Sequence, residues 1–125
     1  MLTILIVDDS DTMRIQLKKD LSGRGYKVIE AANGAEGLQI LKENKTIDVA
    51  ICDVNMPIMD GLTMCEKLTE AGKPPQLSIF MLTTESTADS KERGKKAGVR
   101  AWITKPYQAD KLISAIEKVT QSKPS

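Results

Sequence analysis

Histidine is absent from the 125 residues, and there are only two cysteines, Cys52 and Cys65, well separated and each inside an apolar segment. A zinc centre of the usual Cys/His kind is therefore not encoded, and the thiols read as two small buried hydrophobes rather than a disulfide or metal pair. Aromatic residues make up 3% of the chain, and 18 basic against 17 acidic residues leave a net charge of +1. That balance removes the case for nucleic-acid binding through a basic surface, so any electrostatic specificity must be local. No apolar run is long enough to cross a bilayer, and no signal-peptide core precedes the first polar run. A reducing cytoplasmic setting is the expectation.

What is present is a regular alternation. The segments "TILIVDD", "YKVIEA", "IDVAICD", "LSIFMLT" and "VRAWIT" read as strands, several of them apolar on both faces. Between them, "DTMRIQLKKDL" repeats Met13, Leu17 and Leu21 at four-residue spacing behind possible caps at Ser10 and Asp11, and "GAEGLQILKEN", "GLTMCEKLTEAG" and "QADKLISAIEKV" repeat the device. The fourth helix, "STADSKERGKKAG", has only Ala88 and Ala97 as apolar anchors and carries Gly94, so it reads as marginal and loosely packed. Length and pattern predict one domain over 1–121, with the frayed end of "TQSKPS" leaving 122–125 as a short tail.

Five strand and helix pairs predict an α/β fold: a parallel sheet with right-handed crossovers and helices on both faces. In such sheets ligands gather at the carboxyl ends of the strands. Those ends carry Asp8 and Asp9, Asp53, Thr83 and Thr84, and Thr104 with Lys105 and Pro106. The stretch "LIVDDS" is the puzzle, because two adjacent carboxylates drawn toward a low-dielectric site repel unless a counter-charge is supplied. A cluster of Asp8, Asp9 and Asp53 is a hard, oxygen-only site, which suits magnesium, with manganese as a substitute. With two carboxylates on a cation, the third can act as a nucleophile toward phosphorus, with Lys105 and Thr83 as partners for the phosphoryl oxygens.

"VDDS", "DVNMPIMDG", "LTTE" and "ITKP" stand at the first, third, fourth and fifth strand ends. In residue type, order and spacing the chain resembles the response-regulator receiver family, and within it the stand-alone chemotaxis regulators of CheY type. The resemblance covers essentially the whole chain. It implies a flavodoxin-like (βα)5 sheet of strand order 2-1-3-4-5. It makes Asp53 the phosphoacceptor, Asp9 a direct metal ligand, Asp8 a partner acting partly through water, and Asn55 a ligand through its backbone carbonyl. Lys105 would pair with one phosphoryl oxygen and Thr83 with another. The Lys105–Pro106 peptide would be cis, and Gly61 would permit the turn after the acceptor loop. Asn55 and Glu85 would border the path of the attacking water and set how long the phosphate survives.

Asp11 and Asp60, by contrast, read as helix N-caps. In receivers the position of Trp102 usually holds a Tyr or Phe that turns inward when the strand-four hydroxyl moves to the phosphate, so Thr83 and Trp102 are the expected switch pair; the larger indole departs from the commoner choice. Lys91, Lys95, Arg100 and Lys111, with Trp102 at their centre, read as a partner surface for an acidic amphipathic helix, such as one from a flagellar-motor switch protein.

The leading expectation is a two-component switch, a monomer loaded on Asp53 by a CheA-like histidine kinase, cleared by itself or a phosphatase, and read by a motor or other target without an attached output domain. A phosphorelay intermediate or phosphate sink is the alternative. An aspartate-nucleophile phosphohydrolase would carry a second Asp two residues after the nucleophile, where this chain has Asn55, so no enzymatic activity beyond its own phosphorylation and dephosphorylation is expected.

Overall fold

The computed structural model describes residues 2–84 and 86–121, with the side chain of Gln121 excepted. Glu85 and the tail at 122–125 lie outside the described residues. The elements run β1 (Thr3–Val7), α1 (Asp11–Ser22), β2 (Lys27–Ala31), α2 (Gly34–Glu43), β3 (Val49–Cys52), α3 (Gly61–Ala71), β4 (Ser78–Thr83), α4 (Ala88–Lys96), β5 (Val99–Thr104) and α5 (Ala109–Gln121). The five strands pair in parallel in the order β2-β1-β3-β4-β5, as expected.

The period-two pattern of the central strands sorts residues to two apolar layers. Ile4, Ile6, Val49, Ile51, Phe80 and Leu82 join Leu17 and Leu21 of α1 and Leu112, Ile113 and Ile116 of α5. Their alternates, Leu5, Val7, Ala50, Cys52, Ile79 and Met81, join Leu38 and Leu41 of α2 and Leu62, Cys65 and Leu68 of α3. Both cysteines are free and buried in this second layer, where a hydrogen bond with Cys65, burial and nearby carboxylates push the Cys52 thiol well above its usual range. Cys52 therefore stays protonated, small and apolar.

Caps start the helices where the chain leaves the sheet. Ser10, Asn33, Asp60 and Thr87 each accept a hydrogen bond from the backbone amide three residues on. Asp60 is a cap as expected. Asp11 is not: Ser10 takes that place and Asp11 is the first helical residue, paired with Arg14.

The fourth helix differs most from its sequence reading. Ala88 is exposed, and the buried residue of α4 is Gly94, together with Ala97 just past its end. A Cβ at Gly94 would sit 3.0 Å from Cζ3 of Trp102, so the missing side chain is the space the indole uses. The helix is also fastened to α3 by polar contacts that an apolar periodicity does not register. Arg93 makes a two-pronged contact with Glu66, at 2.8 and 3.2 Å, and Thr69 Oγ1 donates to the Ala97 carbonyl at 3.0 Å.

The β4–β5 ladder steps by one between Ile79↔Val99 and Phe80↔Ala101, which leaves Arg100 as an extra residue. That irregularity brings both Val99 and Trp102 to the α4 side and sends Ala101 and Ile103 to the α5 side. Trp102 thereby faces the same helix layer as the β4 residues that lead to Thr83.

At the opposite end of the sheet, Ser78 Oγ is buried and, among the described residues, has no hydrogen-bond partner. An unsatisfied buried hydroxyl costs about 1–3 kcal/mol. Ser78→Ala is expected to stabilise the fold by about 1 kcal/mol, read as a higher denaturant midpoint with an unchanged m-value; a lower midpoint would show that the hydroxyl is satisfied.

Candidate functional site

β1 and β3 are neighbours with Val7 opposite Cys52, so the next residues of each, Asp8 and Asp53, emerge side by side. Backbone bonds from Asp8 N to Ala31 O (3.1 Å) and from Asp53 N to Val7 O (3.0 Å) hold both at the strand ends. Asp8 is 3% exposed and Asp53 8%, while Asp9 faces solvent. One carboxylate oxygen from each of the three lies within 4.8 Å of the others.

The counter-charge demanded by "LIVDDS" is Lys105. Its Nζ donates to Asp8 Oδ2 at 3.0 Å and to Asp53 Oδ2 at 2.7 Å. Lys105 is delivered from the end of β5 across β4 by its amide, which donates to the Thr83 carbonyl at 3.0 Å. The Lys105–Pro106 peptide is cis, as the resemblance implies. Burial alone lowers the lysine pKa, but hydrogen bonds and charge from Asp53 and Asp8 outweigh it and raise the value above the ordinary one.

The other oxygen of Asp53, Oδ1, accepts from Thr83 Oγ1 at 2.8 Å and from the Asn55 amide at 3.1 Å. Asp8 Oδ1 accepts from the Ser10 amide at 2.9 Å. Of the two threonines at the end of β4, Thr83 enters the site and Thr84 just past the strand is exposed. Gly61 serves a different purpose from the one expected. A Cβ there would fall inside the van der Waals envelope of the Asp53 carbonyl oxygen, so glycine permits close backbone approach rather than a special turn.

One contact was not legible beforehand. Arg14 Nη1 donates to the Asp8 carbonyl at 2.6 Å, and the same guanidinium reaches Glu30 at 3.6 Å. Only the placement of α1 over the end of β1 brings it there, and no spacing in the sequence announces it.

Three carboxylates against one ammonium leave the crevice with a formal excess of two negative charges. The donor set is entirely oxygen, so the residues fit a hard divalent cation, with Asp8, Asp9 and Asp53 able to hold it.

Three residues before Lys105 on β5, Trp102 stands between two grooves. One, of about 200 Å³, runs along α4 and includes Lys91, Lys95 and Arg100. The other, of about 380 Å³, runs along α5 and includes Tyr107 and Lys111. All five residues of the anticipated partner surface are thus lined along one edge of the fold. Two further basic residues of α4, Arg93 and Lys96, are engaged by Glu66 and Glu92.

Comparison with known proteins agrees with this geometry. The response regulator receiver domain model matches residues 4–117, and the chain belongs to that family. It is 38% identical over 117 residues to a chemotaxis protein CheY homologue of Campylobacter jejuni, covering 93% of this chain and 90% of that protein. A segment of the sensor histidine kinase CheAY of Helicobacter pylori is 34% identical over 116 residues; this chain spans 14% of that kinase. Among solved structures, the Vibrio cholerae chemotaxis protein CheY4 superposes with a TM-score of 0.87 at 34% identity, over 95% of this chain and 98% of that one. The Thermotoga maritima response regulator TrrA, solved with Mg(2+)-BeF, gives 0.84 at 28% identity, over 95% and 99%. No helix among the described residues is long and apolar enough to cross a membrane.

Lys105→Met would leave two nearly buried carboxylates without their cation. It is expected to cost about 2 kcal/mol of stability at pH 7 in chelator, measured by denaturant unfolding. Because the folded-state pKa of Lys105 is raised, its contribution is fully present below the unfolded value of about 10.4 and is lost as pH rises through the folded value. The difference between wild type and Lys105→Met is therefore expected to hold from neutral pH to about 10 and to shrink only above it; equal stability at pH 7 would contradict the assigned role.

Proposed function

We propose that the chain is a phosphorylation-controlled switch of a two-component system, probed by the state of Asp53 and read through the edge formed by α4, β5 and α5. The observation that carries this reading is the Asp53 carboxylate itself, held in an acidic crevice with one oxygen on Lys105 and the other on Thr83. An Asp53 oxygen attacks phosphorus of a phosphohistidine, the P–N bond breaks, and its electron pair returns to the imidazole nitrogen, which takes a proton. Lys105 then exchanges a carboxylate oxygen for a phosphoryl oxygen, and Thr83 does the same. Magnesium, held by Asp8, Asp9, Asp53 and the Asn55 carbonyl, supplies charge neutralisation for the phosphoryl oxygens when bound. These 125 residues contain no histidine, so the phosphohistidine lies outside them.

Chemotaxis is the setting favoured by the CheY relatives and by the CheAY kinase segment. A CheA-like kinase would load Asp53, and a motor switch protein or comparable target would bind the basic, Trp102-centred edge in the cytoplasm. Trp102 lies opposite Met81, and Thr83 is two residues further along β4 on the same face. Movement of the Thr83 hydroxyl toward the phosphoryl group would therefore open space diagonally beside the indole. Asn55, which cannot act as a strong base, suits an acyl phosphate that decays in its own site without a separate hydrolase activity.

Acetyl phosphate with magnesium is expected to give an acid-stable, base-labile phosphoprotein on Asp53. Strong labelling of Asp53→Ala, or undiminished labelling in chelator, would remove the mechanism. Beryllofluoride with magnesium is expected to change Trp102 emission, with magnesium alone doing less. Thr83→Ala should still accept phosphate while losing most of the emission change; a full response in that variant would place the coupling elsewhere.

A further inference from the structure

The loop from Val54 to Asp60 connects the acceptor to α3, and one residue in it, Ile58, combines two unfavourable features. It is the single non-glycine residue of positive φ among the described residues, at +71°, a region in which a β-branched side chain crowds the backbone. It is also 84% exposed, so the side chain gains nothing from the core in return.

The conformation is imposed from both sides. The Met59 amide donates to the Pro57 carbonyl at 2.7 Å, closing a three-residue γ-turn with Ile58 at its centre. The Met59 carbonyl accepts from the Gly34 amide at 2.9 Å, and the Gly61 amide donates to Val54 O at 3.0 Å. Gly34 approaches so closely that a Cβ there would strike the Met59 carbonyl. The loop is therefore pinned to α2 at one point and closed between Val54 and the start of α3 at another, and the turn between them projects Ile58 outward. Ile15, also exposed at 68%, differs in occupying an ordinary helical position, where a lone surface isoleucine needs no explanation.

We infer that Ile58 is an apolar docking contact for the phosphohistidine-bearing protein that loads Asp53, an inference that rests on the function proposed above. Asp53 is 8% exposed at the floor of a crevice, so a protein that brings an imidazole to it must press on the rim, whereas a small donor passes without touching it. Ile58 belongs to the same short loop as the acceptor. Asp9 and Asn55 beside the acceptor are exposed and polar and Lys105 is committed to carboxylates, while the exposed apolar residues nearest in sequence, Pro57 and Pro106, are compact rings beside the larger Ile58 side chain. An exposed isoleucine, with no polar atom in its side chain, offers contact area that competes with neither the cation nor the phosphoryl group.

The test compares donors on three forms of the full chain. Ile58→Asn keeps a residue that tolerates positive φ and removes the apolar surface; Ile58→Leu keeps the apolar surface. The protein donor is whichever histidine kinase of the host, autophosphorylated with radiolabelled ATP, labels the wild type fastest; the small donor is acetyl phosphate. Ile58→Asn is expected to accept phosphate from the kinase at least tenfold more slowly, yet to stay within twofold of wild type with acetyl phosphate. Ile58→Leu is expected to stay near wild type with both, and neither variant should melt below it. Wild-type transfer from kinase to Ile58→Asn, equal slowing of both variants, or slowing with acetyl phosphate as well would overturn the docking role. So would labelling by acetyl phosphate with no host kinase able to act, an outcome that leaves Asp53 as acceptor. Failure of acetyl phosphate to label Asp53 in every form would instead remove the proposed function on which the inference rests.

Discussion

Two carboxylates lie almost out of solvent at the ends of adjacent strands, and the Lys105 ammonium between them is what makes their burial tolerable. Coulomb repulsion between Asp8 and Asp53 would otherwise drive one of them to hold its proton or to leave the crevice. Lys105 reaches both because β4 separates β3 from β5 by a single strand and the Lys105 amide is held on the Thr83 carbonyl at the end of β4. Still, one ammonium does not neutralise three carboxylates. The remaining negative charge is what makes the crevice receptive to a divalent cation and, through it, to a phosphoryl group.

The same carboxylate joins the crevice to the rest of the sheet. Asp53 Oδ1 is held by Thr83, Thr83 terminates β4, and β4 pairs with β5 at Met81 and Trp102. The extra residue at Arg100 decides that the indole meets α4 rather than α5, and the absence of a side chain at Gly94 decides that it fits there. A bulky ring and a bare helix position are complementary, so a change in one is felt by the other. Arg93 and Thr69 restrain α4 from the α3 side by polar contacts, which are easier to exchange with water than a packed apolar face. The helix that looked weak in the sequence is thus a fitted element with a polar attachment, placed between the acceptor and a basic groove.

Much of this was legible before any coordinates. Alternating strand and helix patterns predicted ten elements, and their observed bounds fall within a few residues of the segments quoted from the sequence. The strand-end rule brought Asp8, Asp9, Asp53, Thr83 and Lys105 together. The misreadings share a cause. Ala88 was taken as an anchor and Gly94 as a defect because periodicity counts apolar side chains and not the space a neighbour leaves. Asp11 was given a capping role that Ser10 holds, because the two differ only in which residue first adopts helical dihedrals. Gly61 was assigned to a turn because its true partner, the Asp53 carbonyl, is close only after α3 packs against the loop.

By itself, the sequence determined the order of elements, the apolar character of the central strands and the chemical types available at the strand ends, since these follow from local periodicity and side-chain chemistry. Which oxygen meets which donor was decided by the tertiary structure. Lys105 on Asp8 and Asp53, Thr83 on Asp53, Arg14 on the Asp8 carbonyl and the indole over Gly94 all join residues brought together by strand order or helix placement. The positive φ of Ile58 belongs to the same class. Nothing in "NMPIMD" requires it; it arises because the start of α2 holds the loop at Met59 and the start of α3 closes it on Val54, and these hydrogen bonds outweigh the preference of a single β-branched residue.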